Sequence, residues 1–400
     1  MSGLSLLDLP DELLYEIFSY LTIVDLGRIS QVCWLLRQLS GHDAVWRRIS
    51  KRLINIHDEP RARVTLGSRE WYFGVPLKER CRVSLNWVHG QCQDVNLKTF
   101  STHLLPWLQL DDTNLYISQG EMIKRYQILS TNGDLAKRSK VNLFGHQDDV
   151  CRFVIHGDQV VAGGRDCSVL VWNKDTGQLL QNLQGCTDEA ICVDMTRDVV
   201  IAGARNGFIN MWNKTSGQCK VSLPVGDRVW SLQVSPWQSC FASGSSSCYD
   251  LQPLKLWDIQ SGELTETLGR NYRKGAGILD IQWETPYTLL ACGYDAYIRL
   301  WDTRASVHAP VMKLEEPDDY TMYCMQTDKK HLIASGSSLW GVVRLWDKRM
   351  THTMQSFFVG HNCNSPIYSL QFNSTHLYAA LCNSLRVLNF KAGNAVSSAF

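Results

Sequence analysis

The chain has 400 residues, 44% of them hydrophobic, and a formal net charge of +1. That is more than one ordinary domain with ample material for large cores, and near-neutrality removes the electrostatic footprint of a nucleic-acid binder. Leu4 to Leu7 is interrupted at once by Asp8 and no basic stretch precedes it, so neither a secretory signal nor a membrane span is expected. The 14 cysteines are irregularly spaced, without a Cys-x-x-Cys or a zinc-type Cys/His pairing. They read as small buried hydrophobes in a reducing compartment, cytoplasm or nucleus, with no metal site and no cofactor.

The first elements follow a helical period. Leu9, Leu13, Ile17 and Leu21 recur every four residues, Phe18 thickens the stripe, and Asp8 is placed to cap the helix. Pro10 falls in the first turn, where a missing N–H costs nothing. A second helix is expected after Asp25, with Leu26, Ile29, Cys33 and Leu36 on one face. A third follows Asp43, with Val45, Trp46, Ile49 and Leu53. Residues 1–56 therefore read as a three-helix module, too short to bury its apolar faces alone and completed by a partner. Residues 57–90 are charged and aromatic (Arg69, Glu70, Trp71, Tyr72, Phe73), as expected of a packed bridge and not of a flexible tether.

From residue 91 the period becomes two. Short strands close on Trp and an acid or amide at Val171-Trp172-Asn173, Met211-Trp212-Asn213, Leu256-Trp257-Asp258, Leu300-Trp301-Asp302 and Leu345-Trp346-Asp347. The Trp positions 172, 212, 257, 301 and 346 are separated by 40, 45, 44 and 45 residues. That spacing, with Val/Ile/Leu alternation and Gly-rich turns, predicts a WD40 β-propeller in which each repeat builds a four-stranded blade. Third strands ending near Tyr126, Trp172, Trp212, Trp257, Trp301, Trp346 and Leu388 give seven blades across residues 91–400. Small-residue second strands such as Ile201-Ala202-Gly203, and first strands such as Val229-Trp230-Ser231-Leu232-Gln233, repeat between them. Phe400 follows Leu388 too soon for a fourth strand of the last blade, so the segment near Gln91–Phe100 is expected to fill that place and hide both sheet edges.

The run Leu7-Asp8-Leu9-Pro10-Asp11-Glu12-Leu13-Leu14, then Ile17-Phe18-Ser19-Tyr20-Leu21, Asp25-Leu26 and Ile29-Ser30-Gln31-Val32-Cys33, ending in Leu39 and Trp46, resembles the F-box. The resemblance implies a module that binds the adaptor Skp1, and through it a cullin–RING ubiquitin ligase, with Leu9, Pro10, Leu13, Ile17, Phe18 and Leu21 as the Skp1-binding residues. The whole chain is similar to the F-box/WD-repeat family. That likeness rests on Asn86-Trp87 with Gly90-Gln91-Cys92, on Pro106-Trp107-Leu108-Gln109-Leu110, on Asp227-Arg228-Val229-Trp230-Ser231 and on Gly341-Val342-Val343-Arg344-Leu345-Trp346-Asp347. It implies an all-β seven-bladed propeller behind a small three-helix F-box domain, and a non-catalytic subunit that recruits a protein target for ubiquitination. A WD40 scaffold whose N-terminal helices form a cap, or bind something else, remains the alternative.

Departures from the ideal repeat are plain. Gly145-His146, Asp166 and Trp172 make the one complete Gly-His, Asp, Trp set; Asn206 replaces the Asp, Asp295 keeps it, and Leu388 stands in place of Trp after Gly360-His361. Such residues knit a blade, so His146 is structural, and their patchiness predicts blades held more by packing. No Gly-x-Ser-x-Gly, His-Glu-x-x-His or Gly-Lys-[Ser/Thr] motif supports catalysis.

Arg165 in Gly163-Gly164-Arg165-Asp166 and Arg205 in Gly203-Ala204-Arg205-Asn206 hold one position in adjacent blades, in the turn between second and third strands. Arg228, Arg273 and Lys274 just precede first strands and should rim the same face. Guanidiniums there suit an acidic or phosphorylated degron, although Asp148, Asp149, Asp188, Glu189, Asp318 and Asp319 in comparable loops make the face mixed in sign. Trp230 and Tyr323 each follow the opening residue of a first strand and are the next candidates for contact with the target.

Overall fold

A computed structural model describes residues 6–56, 75–111, 113–129, 133–249, 252–360 and 363–392. The chain divides into two compact units: residues 1–94 with 373–376 and 388–400, and residues 95–372 with 377–387.

The first unit begins with a 3-10 turn, Leu6–Asp8, and four short helices, α1 (Asp11–Ser19), α2 (Ile23–Ile29), α3 (Trp34–Ser40) and α4 (Asp43–Ser50). The expected second helix is thus two. Ser30 Oγ turns back to donate to the Gly27 carbonyl at 2.6 Å, and Cys33 is extended at φ −156°, so the chain reverses between α2 and α3. The expected caps also move. Pro10, not Asp8, stands at the N-cap of α1. Thr22 caps α2: its Oγ1 accepts the Asp25 N–H at 3.2 Å and donates to the Asp25 carboxylate at 2.6 Å. His42 caps α4, while Asp43 Oδ1 accepts the Leu77 N–H at 2.7 Å, at the start of α5 (Leu77–His89).

Leu14, Phe18, Leu26, Leu36, Leu39, Val45 and Trp46 form one core with Leu77 and Cys81 of α5. Gly90, left-handed at φ 67°, ends α5 and lets Gln91 N–H reach the Asn86 carbonyl at 2.8 Å. Also within this unit, Trp87 stacks on Phe390 at 3.7 Å and donates to the Ser374 carbonyl, and Asn86 donates to the Phe390 carbonyl at 2.7 Å. Arg69 to Phe73 of the expected bridge lie outside the described residues.

Seven four-stranded antiparallel sheets make up the blades. Their spans are blade 1 (Leu108–Leu143), blade 2 (Val150–Leu183), blade 3 (Ala190–Pro224), blade 4 (Val229–Leu268), blade 5 (Ile278–Glu315) and blade 6 (Met322–Phe358). In blade 7 the strand Gln93–Thr99 lies beside Ser384–Asn389, followed by His376–Ala380 and Ser369–Phe372. The first strand of the propeller chain therefore supplies the outer strand of its last blade.

The repeated small residues have a packing reason. A Cβ on Gly203 would sit 2.5 Å from Val229 Cγ1, which opens the next first strand, and one on Gly336 would sit 2.6 Å from Ile367 Cβ, two residues before the next first strand. At these penultimate positions of the second strand the absence of a side chain lets the next blade approach closely.

The repeated glutamines join the blades around the axis. Gln109 Oε1 accepts the Ile155 N–H at 2.9 Å and Gln326 Oε1 accepts that of Phe372 at 3.0 Å. Gln371 accepts from Leu110 at 3.4 Å, and Gln233 accepts from Trp283. Asp194 takes the same part toward Val234 at 2.7 Å, and Asp280 links blade 5 to Met325 at 2.8 Å. Blade 2 has Val154 at this position, and among the described residues no such bond leads from it to blade 3. Instead Arg152 crosses to blade 5, donating to the Leu279 carbonyl at 2.7 Å and facing Asp280 at 3.4 Å, with Trp107 beneath its guanidinium at 4.2 Å.

Where the ideal WD set is missing, polar networks replace it, so packing is not the sole support of those blades. In blade 4 Asp227 accepts from Ser246 Oγ and from the Cys248 N–H. In blade 6 Arg344 is held by Glu316 and Asp318. His146 contacts Asp166 at 3.1 Å, Ser168 Oγ donates to Asp166 at 2.6 Å, and burial lowers the His146 pKa.

Candidate interaction surfaces

Two surfaces stand out, one in each unit. On the helices, Leu13 and Ile17 are 52% and 43% exposed, and Tyr20, Val32 and Trp34 reach 64%, 72% and 75%. Leu13, Ile17 and Tyr20 share one face of α1 by their spacing. Pro10 is exposed as well, whereas Leu9 and Leu21 are partly buried against the helical core and Phe18 is fully inside it. Phe18 is therefore a packing residue, a correction to its expected place on the partner-facing stripe. Val24 and Leu35 are exposed too, and Val32 and Trp34, which flank the reversal between α2 and α3, lie on no helical stripe that spacing could reveal.

On the propeller, each turn between second and third strands lies beside the residues that precede the blade's first strand. One backbone hydrogen bond fixes the correspondence: Arg165 N–H donates to Asp149 O, Arg205 to Glu189 O, Ser246 to Arg228 O, Tyr294 to Gly277 O and Ser338 to Thr321 O. Arg165 and Arg205 are thus structurally equivalent. Each faces the acid across its own blade, Arg165 with Asp149 at 3.6 Å and Arg205 with Glu189 at 2.7 Å, all four side chains partly exposed.

Every first strand from blade 2 to blade 6 carries a bulge after its opening residue. A bulge re-aims the extra side chain, here Cys151, Ile191, Trp230, Leu279 and Tyr323 in turn; in blade 7 Tyr368 immediately precedes the first strand. Tyr323 and Tyr368 meet at 6.1 Å between ring centroids. Burial raises the Tyr294 hydroxyl pKa, Tyr323 and Cys248 add to the rise, and Arg228 opposes it, so these groups share one neighbourhood. Arg273 is exposed and lies by Tyr297, and its carbonyl accepts the Ser247 hydroxyl of the blade 4 turn at 3.4 Å. A cleft of about 640 Å³ on the same edge, lined by Lys98, Phe100, Glu121, Lys124 and Asp148 among others, carries both signs of charge.

Among the described residues no group of three or more His, Cys, Asp or Glu could hold a metal ion, and no helix is long and apolar enough to cross a membrane.

Helices with an exposed apolar face and a seven-bladed propeller define an F-box/WD-repeat architecture, and the chain belongs to that family. The F-box-like family model matches residues 6–52, and the model for the WD domain, G-beta repeat, matches residues 137–173. F-box/WD repeat-containing protein 4 of Homo sapiens, dactylin, is 40% identical over 394 residues, covering 98% of this chain and 94% of that protein. Its Mus musculus counterpart is 40% identical over 387 residues, 96% of this chain and 93% of the relative. Nuclear distribution protein nudF of Aspergillus niger is similar over a shorter stretch, 31% identical across 125 residues, 30% of this chain and 26% of that one.

Proposed function

We propose that this chain is the substrate-receptor subunit of a Skp1–cullin–F-box ubiquitin ligase. The helices dock Skp1 and the propeller holds a protein target. The observation that carries the reading is the apolar surface left open on α1 to α3, centred on Leu13, Ile17, Tyr20, Val32 and Trp34. Exposed apolar area of this kind is costly in an isolated domain and is normally covered by a partner. Pro10, Leu9 and Leu21 border it, and Phe18 sets the angle of α1 from inside. The receptor needs no nucleophile. It works by proximity, converting an encounter between a target lysine and a ubiquitin-charged enzyme into a reaction within one complex.

Co-purification with Skp1 tests this directly. Ile17→Asp places a charge in the apolar contact and should abolish Skp1 capture, while the half-exposed position leaves the melting temperature nearly unchanged. Full capture of Skp1 by a folded Ile17→Asp chain would sink the proposal.

A further inference from the structure

The twin arginines of blades 2 and 3 are each neutralised within their blade. Asp149 answers Arg165, and Glu189 answers Arg205, across the backbone bond that fixes the two positions. Blade 4 breaks that pairing. Where blades 2 and 3 carry the acid, it carries Arg228, and where they carry the arginine it carries Ser246, whose hydroxyl donates to Asp227. Asp227 is itself buried and engaged by the Arg228 and Cys248 N–H groups. Arg228 is exposed, and among the described residues no carboxylate forms an ion pair with it.

The surroundings of Arg228 differ from those of Arg165 and Arg205 in kind. Tyr294 occupies the corresponding turn of blade 5 and is 41% exposed. The bulge positions of blades 4 and 6 hold Trp230 and Tyr323, where blades 2 and 3 have Cys151 and Ile191, and Tyr368 immediately precedes the first strand of blade 7. Trp230 Nε1 is a buried donor without a partner, a hydrogen-bond vacancy inside the same patch. Trp340, about half exposed, tops the turn of blade 6 at φ 57°, with Asn364 Oδ1 accepting its N–H at 3.1 Å. A bulky residue held left-handed is strained and persists where its surroundings over-determine it.

We propose that this side of the propeller mouth, built on Arg228, Trp230, Tyr294, Tyr323 and Tyr368, captures an acidic peptide through a carboxylate next to an aromatic or large apolar side chain. The inference rests on the receptor reading above and names the class of its target. Arg228 supplies a bidentate guanidinium, and the rings supply flat apolar faces of low side-chain entropy. Among the aromatic rings Arg228 presents one guanidinium without an acid of its own blade, which matches one carboxylate. Arg165 and Arg205 act as loop braces.

The test uses the full chain bound to Skp1, panned against a random-peptide phage library. The enriched sequences should pair Asp or Glu with a neighbouring Phe, Tyr, Trp or Leu. A synthetic fluorescein-labelled peptide of the enriched sequence is then measured by anisotropy. Arg228→Gln, and separately Tyr294→Ala with Tyr323→Ala, should each weaken it about tenfold, whereas Arg165→Gln with Arg205→Gln should stay within about twofold. Near-UV circular dichroism verifies that each variant is folded. Enrichment of basic peptides, no enrichment, or indifference to Arg228→Gln overturns the assignment; so does about tenfold tighter binding of the phosphoserine-for-acid peptide. Panning without Skp1 separates the two claims: unchanged peptide capture by a chain that fails to hold Skp1 removes the ligase reading and leaves this one standing.

Discussion

Asp194 performs two tasks with two oxygens. One accepts the N–H of its neighbour Met195 at 2.8 Å, and the other accepts Val234 of blade 4 at 2.7 Å. Val154 in blade 2 offers Met195 no acceptor, so a carboxylate serves where other blades use Gln. Burial pushes its pKa from 3.8 to about 6. Between those values the folded chain keeps a proton that the unfolded chain releases, so this residue's contribution falls as pH rises through that window and stays low above it. Asp194→Asn removes the effect. Its stability relative to the native chain should rise by about 2–3 kcal/mol from pH 4 to pH 7 in urea titrations, whatever its offset at pH 4. Arg152 is the opposite case. It offsets the cost of burying Asp280, whose pKa burial raises and Arg152 lowers. Arg152→Leu leaves that carboxylate uncompensated and should cost about 3–5 kcal/mol at pH 7 by thermal or urea unfolding.

At the scale of elements, what the sequence announced was periodic and what it hid was not. The Trp-acid strand ends were legible because each Trp buries one large ring per blade; Trp172, Trp212, Trp301 and Trp346 are all fully buried. The glutamines of the first strands were visible as a repeat without a reason, since their partners lie some forty residues away. Helix α5 escaped notice because its inward positions Leu77, Cys81, Ser84 and Trp87 mix polar with apolar residues. Its N-terminus takes its cap from Asp43, thirty-four positions earlier, beyond the reach of any local rule. Asp43→Ala should therefore cost about 1 kcal/mol through α5 and not through α4, seen as faster amide exchange at Glu79 and Arg80. At the propeller mouth the reading found the equivalent arginines but not their neutralisation, because ion pairing depends on which residue stands opposite in the folded blade. The inversion at Arg228 becomes visible only once the Ser246-to-Arg228 backbone bond sets the two positions side by side.

For the molecule as a whole, the composition limited the choices early and the repeat settled the architecture, yet the order of strands in blade 7 joins residues nearly three hundred positions apart. A chain beginning at residue 101 would lack the strand Gln93–Thr99 and bare the edge of Ser384–Asn389. It should aggregate, or melt at least about 5 °C below a chain beginning at Val75, by differential scanning calorimetry.

The joints between blades are unequal. Around the axis, side-chain acceptors fasten blade 1 to 2, 3 to 4, 4 to 5, 5 to 6, 6 to 7 and 7 to 1, while Val154 contributes none between 2 and 3, where Gln181 of the fourth strand of blade 2 donates instead to the Lys214 carbonyl at 2.9 Å. A closed ring has no ends, but it can have a seam. Sub-global opening of this ring should begin with the parting of blades 2 and 3. The amides of Ile191 to Val193 would then exchange earlier than those at the same positions of blades 4 to 6, and the two arginine-bearing loops would swing apart while the aromatic side stays whole.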